Sequence, residues 1–388
     1  MNDLRHVQVS NFYFRVMWII TVFLYILIPF GSGMLSILYL SIIGITVFVF
    51  LCVIIFLCKS NPSYFNLKSF ILFFLITVEL LLSACFGRGE LPIKDVFIGS
   101  LGYLEMMMAL IILNYLQFSR ENISFLLNIN ILIAIIFVIL SCSGFAYSGR
   151  LPLLYLGYSN PNTTAIYLLL NQAILITFLG NIQKRWIKYG VFILCVHEVY
   201  LLFLTGSRTC LIASILIVVF YLSGKRIHIP KILIVAAILF PLIFVGIYTG
   251  LYATGQYTNQ MFLGKELFSG RERLFYETVS QLSNVFLFGD VKHYNFTNLH
   301  NAPLTIISSV GIVGYILYVL YYLNFLFHYY TRNSSIQQNI ALVTILATFF
   351  HSSSEAVLMV GGAQYSVIIA TFYWILKGVI ESYDKEMT

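Results

Sequence analysis

Charge is what this sequence has least of. Only 10% of its 388 residues are Asp, Glu, Lys or Arg, where an ordinary soluble domain carries about 25%. So little polar surface cannot cover a water-soluble globule of this size. A soluble enzyme, a secreted disulfide scaffold and a disordered chain are therefore excluded. Cysteine is also sparse. The six cysteines lie in or beside apolar runs, and no pair has metal-site or disulfide-framework spacing. They read as small packing residues. Acidic residues number 15 against 22 basic ones, but the basic ones are scattered singly and gather on no face, so nucleic acid is not an expected partner. Internal repeats and low-complexity tracts are missing too.

What remains is apolar: 60% of the chain is hydrophobic, including 34 Phe and 27 Tyr. Runs of about 18 residues or more recur, each long enough to cross a hydrocarbon core about 30 Å thick. The fold class expected is all-α, a polytopic transmembrane bundle of about twelve helices with one large external loop containing short helices. The spans are expected to begin near Phe12, Met34, Ser69, Val96, Ser124, Pro161, Tyr189, Thr209, Ile232, Pro303, Asn339 and Ala363. The first has charged flanks and small residues after it, as a signal peptide has, but further spans follow at once, which favours a retained anchor. With the N-terminus in the cytoplasm, 14 Lys and Arg fall on that side and 8 on the other, so both termini are expected to be cytoplasmic.

Residues 1–388 read as a single integral membrane domain, with unequal connections. Most are a few residues long, but about 50 separate the ninth and tenth spans, over 251–301. A connection of that length is usually functional. It carries a helical stripe, Phe275, Val279 and Leu282, that suits a membrane surface. Any chemistry is expected on this outer side.

Four polar clusters fall there. Arg150 leads through Gly157 to Asn160, Pro161 and Asn162. Ser207, Arg208 and Thr209 open the eighth span. Ser269, Gly270 and Arg271 precede Phe275 and Tyr276. His300 and Asn301 lead through Pro303 to Gly311 and Gly314. Each cluster sits at a helix start marked by Asn or Ser, two of them with a Pro near the first helical position. Helix N-termini attract phosphates, and three of the clusters add an Arg whose planar fork grips phosphate. Several such ends meeting at one cavity suit a diphosphate. His300 is the best candidate for proton transfer, the task histidine most often performs.

Each residue also has a plainer role. Arg150 and Arg208 can mark the membrane boundary by reaching into headgroups. Asn160 and Asn162 can cap a helix, and Gly311 and Gly314 can let helices pack closely. Glu79, Glu105, Glu198 and Glu355, with His197 and His351 near the last two, are costly in lipid. They follow no repeated pattern, and buried structural pairing is the expected role.

Taken in order, the clusters resemble the bacterial O-antigen ligase and Wzy-type O-antigen and capsular polysaccharide polymerase family. Asn160-Pro161-Asn162 is similar to its Asn-Pro-Asn block, and Ser207-Arg208-Thr209 to its Ser-Arg block. Ser269-Gly270-Arg271 resembles its Ser-Gly-Arg block, with Phe275 and Tyr276 where Trp is usual. His300-Asn301 with Gly311 and Gly314 resembles its His-Asn and Gly-x-x-Gly pattern, though Ala302-Pro303 departs from it. The resemblance implies a cofactor-free, metal-independent, inverting glycosyltransferase of the bacterial cytoplasmic membrane, acting on its external face. Its donor and acceptor would be undecaprenyl-diphosphate-linked glycans within membrane lipid, with a chain-length regulator protein as a candidate partner. His300 would be the catalytic base. Arg208, Arg271 and Arg150 would bind the diphosphate, and Asn301, Tyr276, Asn160 and Asn162 would position substrate or acceptor. Polymerisation of repeat units is the expected activity. Ligation to another acceptor is the alternative within the family. A non-enzymatic lipid-linked oligosaccharide flippase or exporter is the alternative outside it, and predicts two pseudo-symmetric halves.

Overall fold

Apolar runs punctuated by Asn, Pro and Gly dictate helices with defined starts, because a backbone in lipid must bond to itself. A computed structural model of the chain describes residues 12, 14–20, 67–115, 120–143, 153–158, 160–224, 229–256, 261–262, 265–266, 271–283, 285–296, 299–329, 335–353, 355 and 363–384. In chain order the helices are α1 (Leu67–Phe86), α2 (Ile93–Tyr115), α3 (Arg120–Cys142), α4 (Pro161–Phe178), α5 (Arg185–Thr205), α6 (Arg208–Ser223), α7 (Lys231–Ala253), α8 (Arg271–Leu282), α9 (Val291–Tyr294), α10 (Ala302–Tyr329), α11 (Ile336–His351) and α12 (Ala363–Asp384). A two-residue ladder, Met261–Phe262 with Lys265–Glu266, is the one strand pairing among the described residues.

Ten of the expected span starts fall within four residues of a helix start. Residues 12 and 14–20 are helical, and the start near Met34 lies outside the described residues. Length divides the helices. Among the described residues seven are long and apolar enough to cross a membrane: α1, α2, α3, α4 with its 3-10 extension, α5, α7 and α10. Three apolar stretches, α6, α11 and Val367–Lys377 of α12, are shorter.

α4 is the axis of the bundle. Nearly every residue from Thr164 to Phe178 is buried, with α3, α5, α6 and α11 packed around it. A helix apolar on all sides demands such a central place. α7, in contrast, buries only a narrow stripe. On its other flank α8 lays Phe275 and Leu282 inward, with the Phe275 ring edge-on to Tyr248 at 5.2 Å. The α8 stripe expected to face the membrane surface thus packs on protein instead, because α7 offers it an aromatic wall.

α10 is two helices in one. At Gly311 the backbone turns to φ 72° and ψ 179°, open to glycine alone at little cost. The chain at 286–290 lies in the gap: Ile312 N–H donates to the Phe286 carbonyl at 2.8 Å, and Asp290 N–H to the Ser308 carbonyl at 2.8 Å. A Cβ on Gly311 would collide with the Leu287 carbonyl. The Gly-x-x-Gly spacing therefore does more than permit close helix packing. It breaks the helix and leaves residues 302–310 as a buried half-helix whose start carries His300 and Asn301.

Candidate functional site

The site forms where the starts of α4, α8 and α10 meet the end of α11. At the start of α4, Asn160 is in extended conformation and its side chain accepts from Asn162 N–H at 2.9 Å, with Pro161 in the first helical position. That cap fixes the backbone of Asn162 and turns its carboxamide away from the helix. At the start of α10, the Asn301 Oδ1 accepts from Leu304 N–H at 2.9 Å, and its Nδ2 donates to the carbonyls of Pro241 and Ser353 at 2.9 and 3.3 Å. Ala302 N–H donates to the Ser352 carbonyl at 2.9 Å. Asn301 thereby ties α7, α10 and the end of α11 together.

His300, just before that knot, sits at φ 58°. A residue other than glycine adopts this left-handed conformation only when its surroundings over-determine it. Here the Asn301 cap holds it on one side and Glu355 on the other: His300 Nδ1 lies 3.0 Å from Glu355 Oε2.

Glu355 is the centre of the arrangement. Its side chain is 2% exposed, and its Oε1 accepts from Arg271 Nη2 at 3.1 Å and from Asn162 Nδ2 at 2.8 Å. One carboxylate thus joins three of the polar clusters, from α4, α8 and α10. Because an ionised carboxylate only accepts, His300 must carry its hydrogen on Nδ1, which puts the lone pair of a neutral ring on Nε2. The His300 side chain keeps 35% exposure, so this nitrogen belongs to a ring that solvent or substrate can reach.

Arg208 and Arg271 are each the first residue of their helix. A cation is disfavoured at the positive end of a helix, so local helix chemistry does not account for either. The two guanidinium groups lie within electrostatic reach of each other and of Tyr248. Like charges held together in this way are relieved by an anion between them. Tyr158, on the segment leading to α4, is buried; burial, with Tyr365 adding to it, holds its phenol well above the usual range.

Other sequence candidates fall differently. Tyr276 is 39% exposed and pairs with Tyr252 at 5.1 Å, on a side of α8 away from Arg271. Asn160 and Asn301 act as caps, with their side chains bonded inside the fold. Arg150, Ser269 and Gly270 lie outside the described residues. Glu355 was not among the sequence candidates for the site. Its signal was Ser352-Ser353-Ser354 before it and Gly361-Gly362 after it, a polar stretch that ends a span and so places the carboxylate at a helix terminus. Glu355 indeed follows the end of α11, its N–H donating to the His351 carbonyl at 3.1 Å.

Among the described residues no three His, Cys, Asp or Glu side chains converge as a metal ion would need. A cavity of about 580 Å³ lies at the far end of α4, between Thr177, Tyr221 and Gln337, with Thr177 roughly 22 Å along the helix from Asn162. It is separate from the cluster. In comparisons with known proteins, the chain matches no family model, no curated protein and no solved structure.

Proposed function

We propose that this chain is a membrane glycosyltransferase that polymerises undecaprenyl-diphosphate-linked oligosaccharide repeat units on the outer face of the bacterial cytoplasmic membrane. In this reading the bundle has about twelve spans and both termini are cytoplasmic. The 251–301 connection, which carries Arg271, then lies outside. The observation that carries the reading is the meeting of Asn162, Arg271 and His300 on the buried carboxylate of Glu355. Three sequence blocks picked out for diphosphate binding, proton transfer and positioning come together there, although up to 193 residues separate them from their common partner.

The chemistry follows from the geometry. Arg271 and Arg208 hold the diphosphate of the donor and stabilise the charge that develops as it leaves. His300 Nε2 takes the proton of the acceptor hydroxyl, and Glu355 on Nδ1 steadies the resulting imidazolium. The acceptor oxygen attacks the anomeric carbon from the face opposite the diphosphate. As the new C–O bond forms, the bond to the diphosphate oxygen breaks and undecaprenyl diphosphate leaves with the electron pair. The anomeric configuration inverts. A diphosphate is a good leaving group, so positioning, charge stabilisation and one base supply what the reaction needs.

Reconstitution of the full chain with purified lipid-diphosphate repeat units, with and without chelator, tests this. A ladder of products unaffected by chelator is expected. Product that forms only when a second, different acceptor is supplied would assign the chain to ligation. The absence of any glycosyl transfer with either acceptor would overturn the reading.

A further inference from the structure

The unusual feature of the cluster is that one carboxylate serves both the residue assigned to the leaving group and the residue assigned to the base. We infer that Glu355 is an exchangeable counter-ion: the arriving lipid diphosphate takes Arg271 from it, and the carboxylate charge released then falls on His300. The inference rests on the glycosyltransferase reading and deepens it, because it makes the base responsive to occupancy of the donor site.

Three observations carry it. The first is how the contacts divide between the two oxygens. Oε1 holds Arg271 and Asn162, while Oε2 holds His300. Loss of Arg271 therefore leaves the carboxylate anchored through Asn162 and still facing the imidazole. The second is charge. Arg271 and Arg208 lie close enough to repel, and Glu355 meets Arg271 through an Nη2 contact at 3.1 Å. A diphosphate presents several anionic oxygens to both, and an Arg fork meets such oxygens in pairs. Exchange is favoured on both counts. The third is exposure. Glu355 is 2% exposed while Arg271 keeps 15% and His300 35%, so the two partners that meet substrate are accessible and the carboxylate between them is fixed.

With no donor bound, the guanidinium and the imidazole share one negative charge. With donor bound, the guanidinium faces diphosphate, and the whole carboxylate stabilises the imidazolium that forms when Nε2 takes the acceptor proton. Among the described residues, the groups facing Glu355 include Arg271 from α8, His300 before α10, Asn162 from α4 and His351 at the end of α11, with Arg208 in electrostatic reach of Arg271. Exchange of Arg271 thus removes a permanent cation bonded to the carboxylate.

The test uses the full chain in lipid nanodiscs, with undecaprenyl diphosphate and inorganic diphosphate as binding probes and lipid-linked repeat units as substrate. In Glu355→Gln nothing competes for Arg271 and nothing supports the imidazolium. Affinity for both probes should rise about tenfold, while kcat falls a hundredfold or more. KM and kcat then drop together, a split that mere loss of structure does not produce. Glu355→Asp should recover part of the lost kcat. Weaker probe binding in Glu355→Gln alongside slow turnover would assign Glu355 a structural role and overturn the inference, as would an unchanged kcat. A second measurement needs no altered carboxylate. With 15N-labelled histidine, the His300 ring signals, assigned by their loss in His300→Gln, should shift when undecaprenyl diphosphate is added to the unaltered chain. No shift overturns the inference. A chain that transfers glycans yet fails these tests refutes the coupling alone; one that binds neither probe and transfers nothing refutes the glycosyltransferase reading as well.

Discussion

Glu355 and Glu105 are both buried carboxyls in the same apolar bundle, at 2% and 0% exposure, yet their surroundings differ completely. Glu355 has an arginine, a histidine and an asparagine within hydrogen-bond distance. Glu105, in the middle of α2, has neither oxygen bonded among the described residues, and Met106, Met107 and Met108 follow it in the buried core. Burying a charge is tolerable only where partners compensate it. A carboxylate bonded to an arginine and a histidine at the meeting point of several helix ends has its burial compensated. A carboxyl alone on a transmembrane helix is a feature of packing. Breaking each in turn measures how deep the difference goes.

The largest effect is expected at the base. His300→Ala should lower glycosyl transfer about a thousandfold while leaving expression, and binding of undecaprenyl diphosphate, close to normal. Transfer at more than a tenth of the normal rate from this variant would remove His300 from its assigned role. Arg271→Ala comes next, with a loss of about a hundredfold in kcat/KM, read from ladder formation at several donor concentrations. Arg271→Lys should recover only part of it, because a point charge lacks the paired donors of guanidinium.

Removal of the carboxylate itself tests its structural share. Glu355→Ala leaves Arg271 facing a low-dielectric pocket without a counter-ion. Loss of one partner from a fully buried pair costs about 3–5 kcal/mol. With Arg271 still 15% exposed, roughly 2 kcal/mol is the better expectation, seen as an earlier unfolding transition in detergent. Asn162→Ala removes one hydrogen bond to a charged group, worth about 1.5 kcal/mol, and should slow transfer about tenfold by loosening the carboxylate.

These predictions concern residues whose roles were only partly visible in the chain. Helix positions were readable because lipid forces the backbone to bond to itself, and Asn160-Pro161 announces a cap that the structure contains at 2.9 Å. His300 and Arg271 were readable because polar residues stand out in so apolar a sequence. Glu355 stood out equally, but so did Glu79, Glu105 and Glu198, and residue type does not separate them. What separates them is three-dimensional. Glu355 lies 55 residues from His300 and 84 from Arg271, and only the packing of α4, α8, α10 and α11 brings them together. Gly311 shows the same limit. Its spacing to Gly314 is plain, but the break it makes depends on backbone at 286–290 arriving to fill the gap. Length misled in one respect: α6 and α11, 16 residues each, stop short of the roughly 18 residues expected of a span, α6 between Ser207 and Gly224 and α11 between Ser335 and Ser352.

The smallest effect should come from Glu105→Gln. The swap preserves shape, and replacing a group that has no bonded partner forfeits no hydrogen bond, so stability should change by less than about 1 kcal/mol. Transfer rate should be unchanged, since among the described residues neither Glu105 oxygen is bonded to any residue around Glu355. The paired comparison is more informative than either variant alone. If Glu105→Gln slowed transfer as much as Glu355→Gln does, the catalytic importance of Glu355 would owe nothing to its three partners, and buried carboxyls in this bundle would act through some shared path along the membrane. If Glu355→Gln alone is slow, then partners, not burial, distinguish a working carboxylate from a packing one.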